Sequence, residues 1–283
     1  MRTTRTTPFS TLMSAVLIAA ALPASALAND APWQGFHVGG SLGGSEPMSS
    51  DGGRILFDTN LDGQFGDTVR TGTGADAFSP GFCGGAAYGR TPATGCREDS
   101  GGAETSLRVG YDWQRGRWVY GVLGEYTDHD ARDSVAAFST TPAFYTMTRD
   151  LEHSMALRGR VGMSFGGDSQ WLGYVTAGAV RGRISNSFAT SNAANRFTPT
   201  GSDDADGYQA GLGIERQVIG NLSIGLEYLY TRLDDGDARV RVERGTAPAT
   251  NPFLLVNPAG TNFRRSDEDF SVGSLRLTAS WRF

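Results

Sequence analysis

The chain has 283 residues, 39% of them hydrophobic, with 25 basic against 30 acidic side chains and a formal net charge of −5. That acidic balance excludes the basic footprint of a nucleic-acid-binding protein, and no nucleic-acid partner is expected. All the basic residues are arginine, and glycine, at 39 positions, is about twice as common as its usual ~7% share.

Arg2 and Arg5 precede an apolar stretch at 12–22, and Ala26-Leu27-Ala28 supplies a small-x-small end. A spanning helix needs ~20 apolar residues, so 1–28 reads as a cleaved signal peptide and 29–283 as an exported domain. No later segment is apolar enough to span as a helix.

Period-two patterning then recurs in eight segments of about the ~9–11 residues that a tilted transmembrane strand requires. They run over 33–42, 104–114, 117–127, 153–165, 170–183, 206–218, 222–233 and 270–283. Between them, 43–103, 128–152, 184–205 and 234–269 are long, whereas Gln114-Arg115-Gly116-Arg117, Gly166-Gly167-Asp168-Ser169 and Ile219-Gly220-Asn221 are tight turns. Short and long connections alternate throughout. The pattern predicts an all-β fold, an eight-stranded antiparallel transmembrane β-barrel with short periplasmic turns and long surface loops.

The long first loop, 43–103, holds two local motifs. Asp58, Asn60 and Asp62, followed by Gly63, place side-chain oxygens at alternate positions before a turn glycine, as at the start of a calcium loop. Gln64 could add its carbonyl and Asp67 a closing carboxylate. Position twelve is Val69 where an EF-hand has glutamate, so the alternative is an Asx-type turn that braces a long loop. Cys83 and Cys96, the only cysteines, are expected to form a disulfide in an exported chain. Together these make the loop a candidate ordered cap, with calcium as the one candidate cofactor.

Charges within the strands set the inward faces. In phase with one another are Arg108 and Asp112, Glu125, Arg158 and Arg160, Glu215, Glu227, and Arg276 with Arg282. The opposite faces are apolar: Val109, Tyr111 and Trp113; Val161, Met163 and Phe165; Tyr208, Leu212 and Ile214; Ile224, Leu226, Tyr228 and Tyr230. Segment 170–183 is apolar on both faces, so its phase is open. Since the lumen of an eight-stranded barrel is filled by side chains, five arginines and four carboxylates are expected to pair there, and inward glycines to relieve the crowding. A proton or ion pathway is the alternative reading of the same charges.

The last segment alternates with Gly273, Leu275, Leu277, Ala279, Trp281 and Phe283 on one face and Ser274, Arg276, Thr278, Ser280 and Arg282 on the other. Its aromatic end, Trp281 with Phe283, resembles the C-terminal assembly signal of outer-membrane barrels, which is read by the barrel-insertion machinery. Trp33-Gln34-Gly35-Phe36-His37-Val38-Gly39-Gly40, Val109-Gly110-Tyr111-Asp112-Trp113-Gln114, Arg158-Gly159-Arg160-Val161-Gly162 and Ala210-Gly211-Leu212-Gly213-Ile214-Glu215 are similar, in order, to strands of the OmpA-like and opacity-type small outer-membrane barrels. The resemblance implies a cell outer-membrane location and contact with outer-membrane lipids. It does not imply one activity, because relatives serve several roles.

The expected function is therefore non-enzymatic: a structural or surface-interaction protein, with an extracellular ligand, if any, taken by the loops. A lipid-modifying enzyme is the alternative. It would use a rim histidine with a serine and a carboxylate, and among His37, His129 and His153 only His153, beside Glu152 and Ser154, suggests it. Adjacent strand residues point to opposite faces, so that trio does not converge by itself. A narrow pore is the third reading, opposed by the charges expected to fill the lumen.

Overall fold

The computed structural model describes residues 31–48 and 53–283. The expected signal peptide lies outside them. Eight long strands form the frame: β1 (Gly35–Pro47), β2 (Gly102–Arg115), β3 (Trp118–Ser139), β4 (Ala143–Phe165), β5 (Trp171–Thr190), β6 (Asp204–Ile219), β7 (Leu222–Asp234) and β8 (Asp269–Arg282). Each pairs antiparallel with its neighbours in sequence, and β1 pairs with β8 from His37 opposite Arg282 to Pro47 opposite Val272. The eight strands thus close into a barrel, which leaves no exposed edge.

Tight turns join the strands at one end. Arg115 pairs with Trp118 and Ile219 with Leu222, leaving two-residue turns that begin at Gly116 (φ 58°) and Gly220 (φ 52°). Hairpin turns of this length want a left-handed residue first, which glycine supplies without strain. Along the strands, burial alternates with the side chains. In β2, Glu104, Ser106, Arg108, Asp112 and Gln114 are buried, while Leu107, Val109, Tyr111 and Trp113 are exposed on the outer wall.

The other end corrects the expectation of four separate loops. Segment 128–152 is no loop: β3 and β4 continue as one hairpin to Ser139 opposite Ala143. The strand register shifts between Asp128 and Ala131 and between Leu151 and His153. Below that bulge the inward residues of β4 are Ser154, Arg158 and Arg160; above it they are Leu151, Arg149 and Met147. One extra residue reverses the parity, which is why a period-two pattern fails there although the strand goes on.

The remaining long connections fold onto that hairpin. Four short strands, in the order Arg196–Thr200, Arg239–Glu243, Thr261–Arg265, Ile55–Asp58, make a second antiparallel sheet. It draws on three different connections, and Gly81–Gly84 pairs with the raised part of β3. Between sheet and hairpin lies a core of Ile55, Phe57, Phe78, Val135, Tyr145, Met147, Val242, Phe253 and Phe263, with Phe188 and Phe197 against it. Phe263 is fully buried at its centre, with ring centroids of Phe57 at 5.0 Å, Phe253 at 5.4 Å and Tyr145 at 5.9 Å. The surface connections therefore form one cap with its own hydrophobic core.

Candidate functional site

Each of the nine charged side chains read as inward is buried in the lumen. They gather into two layers. In the upper one, Glu125 and Glu227 sit among three arginines: Arg108 is 2.8 Å from Glu125 and 3.3 Å from Glu227, and Arg158 is 3.0 Å and 3.3 Å from the same pair. Arg276 donates to Glu125 at 2.8 Å and to Glu227 at 2.9 Å, and the Tyr174 hydroxyl donates to Glu227 at 2.7 Å. In the lower one, Arg160 joins Asp112 to Glu215 (2.9 Å), and Arg282 lies 2.8 Å from Asp112. His37 Nε2 is 3.5 Å from the same carboxylate.

Sequence reading missed several members of this interior. Glu104, buried at the start of β2, lies 3.6 Å from Arg276 and accepts from the Ser274 hydroxyl at 2.8 Å. With it the described residues place five arginines and five carboxylates in the lumen, formally balanced when His37 and His129 are neutral. The phase of β5 is settled by Leu172, Tyr174 and Thr176, which point inward. Glycine makes room for these groups. A Cβ on Gly121 would fall 2.0 Å from an Asp112 carboxylate oxygen, and one on Gly213 would fall 2.5 Å from the Tyr174 hydroxyl.

Apolar layers seal both ends. At the short-turn end, Trp33 is not the first strand residue but folds beneath β1 and into the lumen, against Val119, Leu172 and Tyr174. Its amide donates to Gln114 at 2.9 Å and its indole N–H to the Ser169 carbonyl at 2.8 Å. At the cap end, Ala131, Leu151, Val180, Ile184, Leu233, Phe270 and Val272 close the mouth. Above them a third ionic layer ties cap to barrel. Asp133 accepts from Arg149 (2.7 Å) and Arg265 (2.8 Å), and Arg149 donates to the Asp269 carbonyl at 2.9 Å. Burial pushes the Asp133 carboxyl up, but the two arginines outweigh it and hold the group below the usual 3.8. Asp235, 3.8 Å from Arg149, is raised by burial.

The histidines are arranged otherwise than expected. His153 points outward, stacked on Tyr126 with centroids 5.7 Å apart, and Glu152 is 3.5 Å from Arg183. Ser154 points inward, so the suggested trio does not meet. A different chain forms: Ser154 Oγ is 2.9 Å from His129 Nε2, and His129 Nδ1 is 3.3 Å from Glu104. The His129 side chain is in the lumen rather than at the rim, below the apolar mouth layer.

In the first connection, Asp58 is fully buried and spends its oxygens on the backbone. It accepts from the amides of Leu61 (2.7 Å), Asp62 (3.2 Å) and Gly63 (3.2 Å), and from the Asn262 side chain. Asp62 accepts from the Gln64 amide at 2.8 Å, Asn60 from the Asp62 amide at 3.1 Å, and Asp67 from the Thr59 amide and hydroxyl. This is the Asx-turn alternative, with carboxylates turned to N–H donors rather than toward a common centre. Among the described residues no group of three or more His, Cys, Asp or Glu side chains is placed to hold a metal ion. Cys83 and Cys96 are joined by a disulfide with Cα atoms 6.5 Å apart.

The outer wall of the barrel is the face a bilayer would meet. Leu107, Leu157, Val175, Leu212, Leu226 and Leu277 are exposed on it, banded by Trp113, Trp118, Phe165, Trp281 and Phe283 at the short-turn end and by Tyr126, Tyr208 and Tyr228 toward the cap. Phe283 donates its amide to the Phe36 carbonyl, and its ring lies tilted at 40° to that of Phe36, centroids 6.0 Å apart. An apolar band between aromatic girdles is what a transmembrane barrel presents to lipid.

The family model of the outer membrane protein beta-barrel domain matches residues 14–283. No curated protein matches the chain in sequence. Among solved structures, it is similar to the outer membrane protein OprG from Pseudomonas aeruginosa, at 12% identity and a TM-score of 0.48, over 88% of this chain and 97% of that one. Neisserial surface protein A follows at 11% identity and a TM-score of 0.34, over 88% and 97% of the two chains. The attachment invasion locus protein Ail of Yersinia pestis gives 12% and 0.33, over 88% and 99%. With a family model that spans nearly the whole chain and a closed eight-stranded ring whose apolar wall faces outward, the protein belongs to the outer-membrane β-barrel family.

Proposed function

We propose that the protein is a non-enzymatic outer-membrane barrel whose role is to hold a folded cap at the cell surface for interaction. The observation that carries this reading is the filled lumen. From Trp33 through two ion-paired layers to the apolar layer around Leu233 and Phe270, side chains occupy the barrel at every level. Three paired arginines at one level cannot step aside for an ion without leaving Glu125 and Glu227 buried and unpaired, which is costly. The part that differs from a plain barrel is the cap, and there the chain has built a separate core.

The His129, Ser154 and Glu104 chain fits this reading as lumen packing, because its serine faces the sealed interior and not the bilayer. The test is conductance of the refolded full chain in planar bilayers, with lipid A mass measured in cells that express wild type or Ser154→Ala. No channel openings, and the same lipid A masses in both strains and in cells without the protein, are expected. Discrete openings would replace the reading by a pore. A lipid A mass change that requires Ser154 would replace it by an enzyme.

A further inference from the structure

At the outermost end of the cap lies a cavity of about 240 Å³, on which all four surface connections converge. The first brings Phe78, the β3–β4 turn brings Thr140 and Thr141, the third brings Asn192 and the fourth Phe253. We propose that this cavity is a binding site for a single uncharged sugar ring, such as the end group of a neutral glycan. The proposal rests on the surface-interaction reading and gives it a ligand class.

The lining decides the class. It contains no Asp, Glu, Lys, Arg or His, in a chain of which 19% is charged. A charged ligand would lose its water here and find no counter-ion, so ions are disfavoured. The floor is aromatic: Phe78 lies 5.3 Å from Tyr145 and 6.0 Å from Phe253, centroid to centroid. The rim is hydroxyl and amide. A wholly apolar ligand would cover the Thr140 and Thr141 hydroxyls at the mouth without offering them a hydrogen-bond partner. A neutral ring with a C–H face and hydroxyl edges satisfies both surfaces.

The rim is set before any ligand arrives. Asn192 donates to the Tyr145 hydroxyl and to Asn195, each at 3.1 Å, and Asn251 donates to Asn195 at 3.1 Å. These bonds tie the third and fourth connections to β4, so binding orders little that is not already ordered. Thr140 and Thr141 are exposed and mark the mouth. The volume falls below the ~300–1,000 Å³ of drug-sized sites, which fits one ring and not an oligosaccharide.

The test uses the refolded full chain in detergent and saturation-transfer NMR with methyl glucoside, methyl galactoside and methyl N-acetylglucosaminide. N-acetylneuraminate and cyclohexanol serve as anionic and apolar comparisons. At least one neutral glycoside should bind saturably, with Kd on the order of millimolar for so small a ligand. Thr141→Trp should weaken that binding at least about tenfold by blocking the mouth, whereas Thr94→Trp, at an exposed position away from the cavity, should not. Binding of none of the three glycosides, equal binding by Thr141→Trp, or equal binding of neuraminate or cyclohexanol would overturn the site. Conductance of the same preparations separates the two readings: a silent barrel that takes no sugar loses only this site, while a conducting one loses the surface-interaction role.

Discussion

Barrel and cap share the β3–β4 hairpin, yet they are inside out relative to each other. Below the bulge in β3 and β4, leucine, valine and tryptophan face outward and arginine and glutamate face in; above it, Phe57, Tyr145 and Phe263 form the interior. The difference follows from the surroundings. In lipid, apolar burial gains nothing, so the lumen is organised by pairing charges that the bilayer would not accept. In water, the cap collapses by the hydrophobic effect like any soluble domain. The ion pairs need not stabilise the barrel much in net terms; they fix which face of each strand turns inward, because the reverse register would present arginine to hydrocarbon.

The comparison breaks first at its two centres. Glu227→Ala would leave Arg108, Arg158 and Arg276 to share the single carboxylate of Glu125, so that buried positive charge is left uncompensated, and should cost ~3–5 kcal/mol in barrel stability, measured by urea unfolding in detergent. Phe263→Ala should cost a similar ~3–5 kcal/mol, but in the cap, where limited proteolysis would show it while the barrel keeps its heat-modifiable migration. If either variant damages both halves equally, the two cores are one cooperative unit. On the wall, Leu226→Arg should cost ~2–4 kcal/mol near the bilayer midplane, and a neutral outcome would show that Leu226 does not meet lipid. Replacing Cys83 and Cys96 by serine should cost ~3 kcal/mol by the loop-closure argument. That loss should be confined to protease sensitivity around 81–97.

The smallest effect concerns the junction. Because Arg265 and Arg149 hold Asp133 below its ordinary value, its contribution is present above about pH 4 and is lost as pH falls through its lowered folded value. Asp235, raised by burial, works the other way and favours folding at low pH. Acid should therefore loosen the cap only below about pH 4, once Asp133 protonates, and Asp133→Asn should remove that step from a pH series of cap proteolysis. An unchanged acid profile in the variant would mean that the junction does not depend on this carboxylate.

What could be read from sequence divides along the same line. In the bilayer, strict alternation shows each face: Arg108 and Asp112 against Val109 and Tyr111 carry enough contrast to place their strand. Glu104 shares the parity of Arg108 and was lost only because it stands at the strand's first residues. Tyr174 was hidden by apolar residues on both faces of β5. The cap was illegible for a different reason. Its core joins Phe57, Tyr145, Phe197, Phe253 and Phe263 across long separations, with short strands and with parity reversed at Glu152, so no local period marks it. The Asp58 motif shows the same limit, since alternate oxygens suit a cation and an Asx turn equally until the backbone amides are placed.

One consequence follows from the way Thr261–Arg265 pairs on one side with Arg239–Glu243 and on the other with Ile55–Asp58. Surface loops of barrels are commonly treated as interchangeable parts, each free to lengthen, drift or be grafted. Here a foreign segment spliced into the first connection would remove an edge of the sheet from the fourth and Phe57 from beside Phe263. The surface of this protein can be transplanted or diversified only as a single block, and the separately variable parts are those outside the shared sheet, such as the disulfide-closed hairpin of Ala86–Ala87 and Cys96–Arg97.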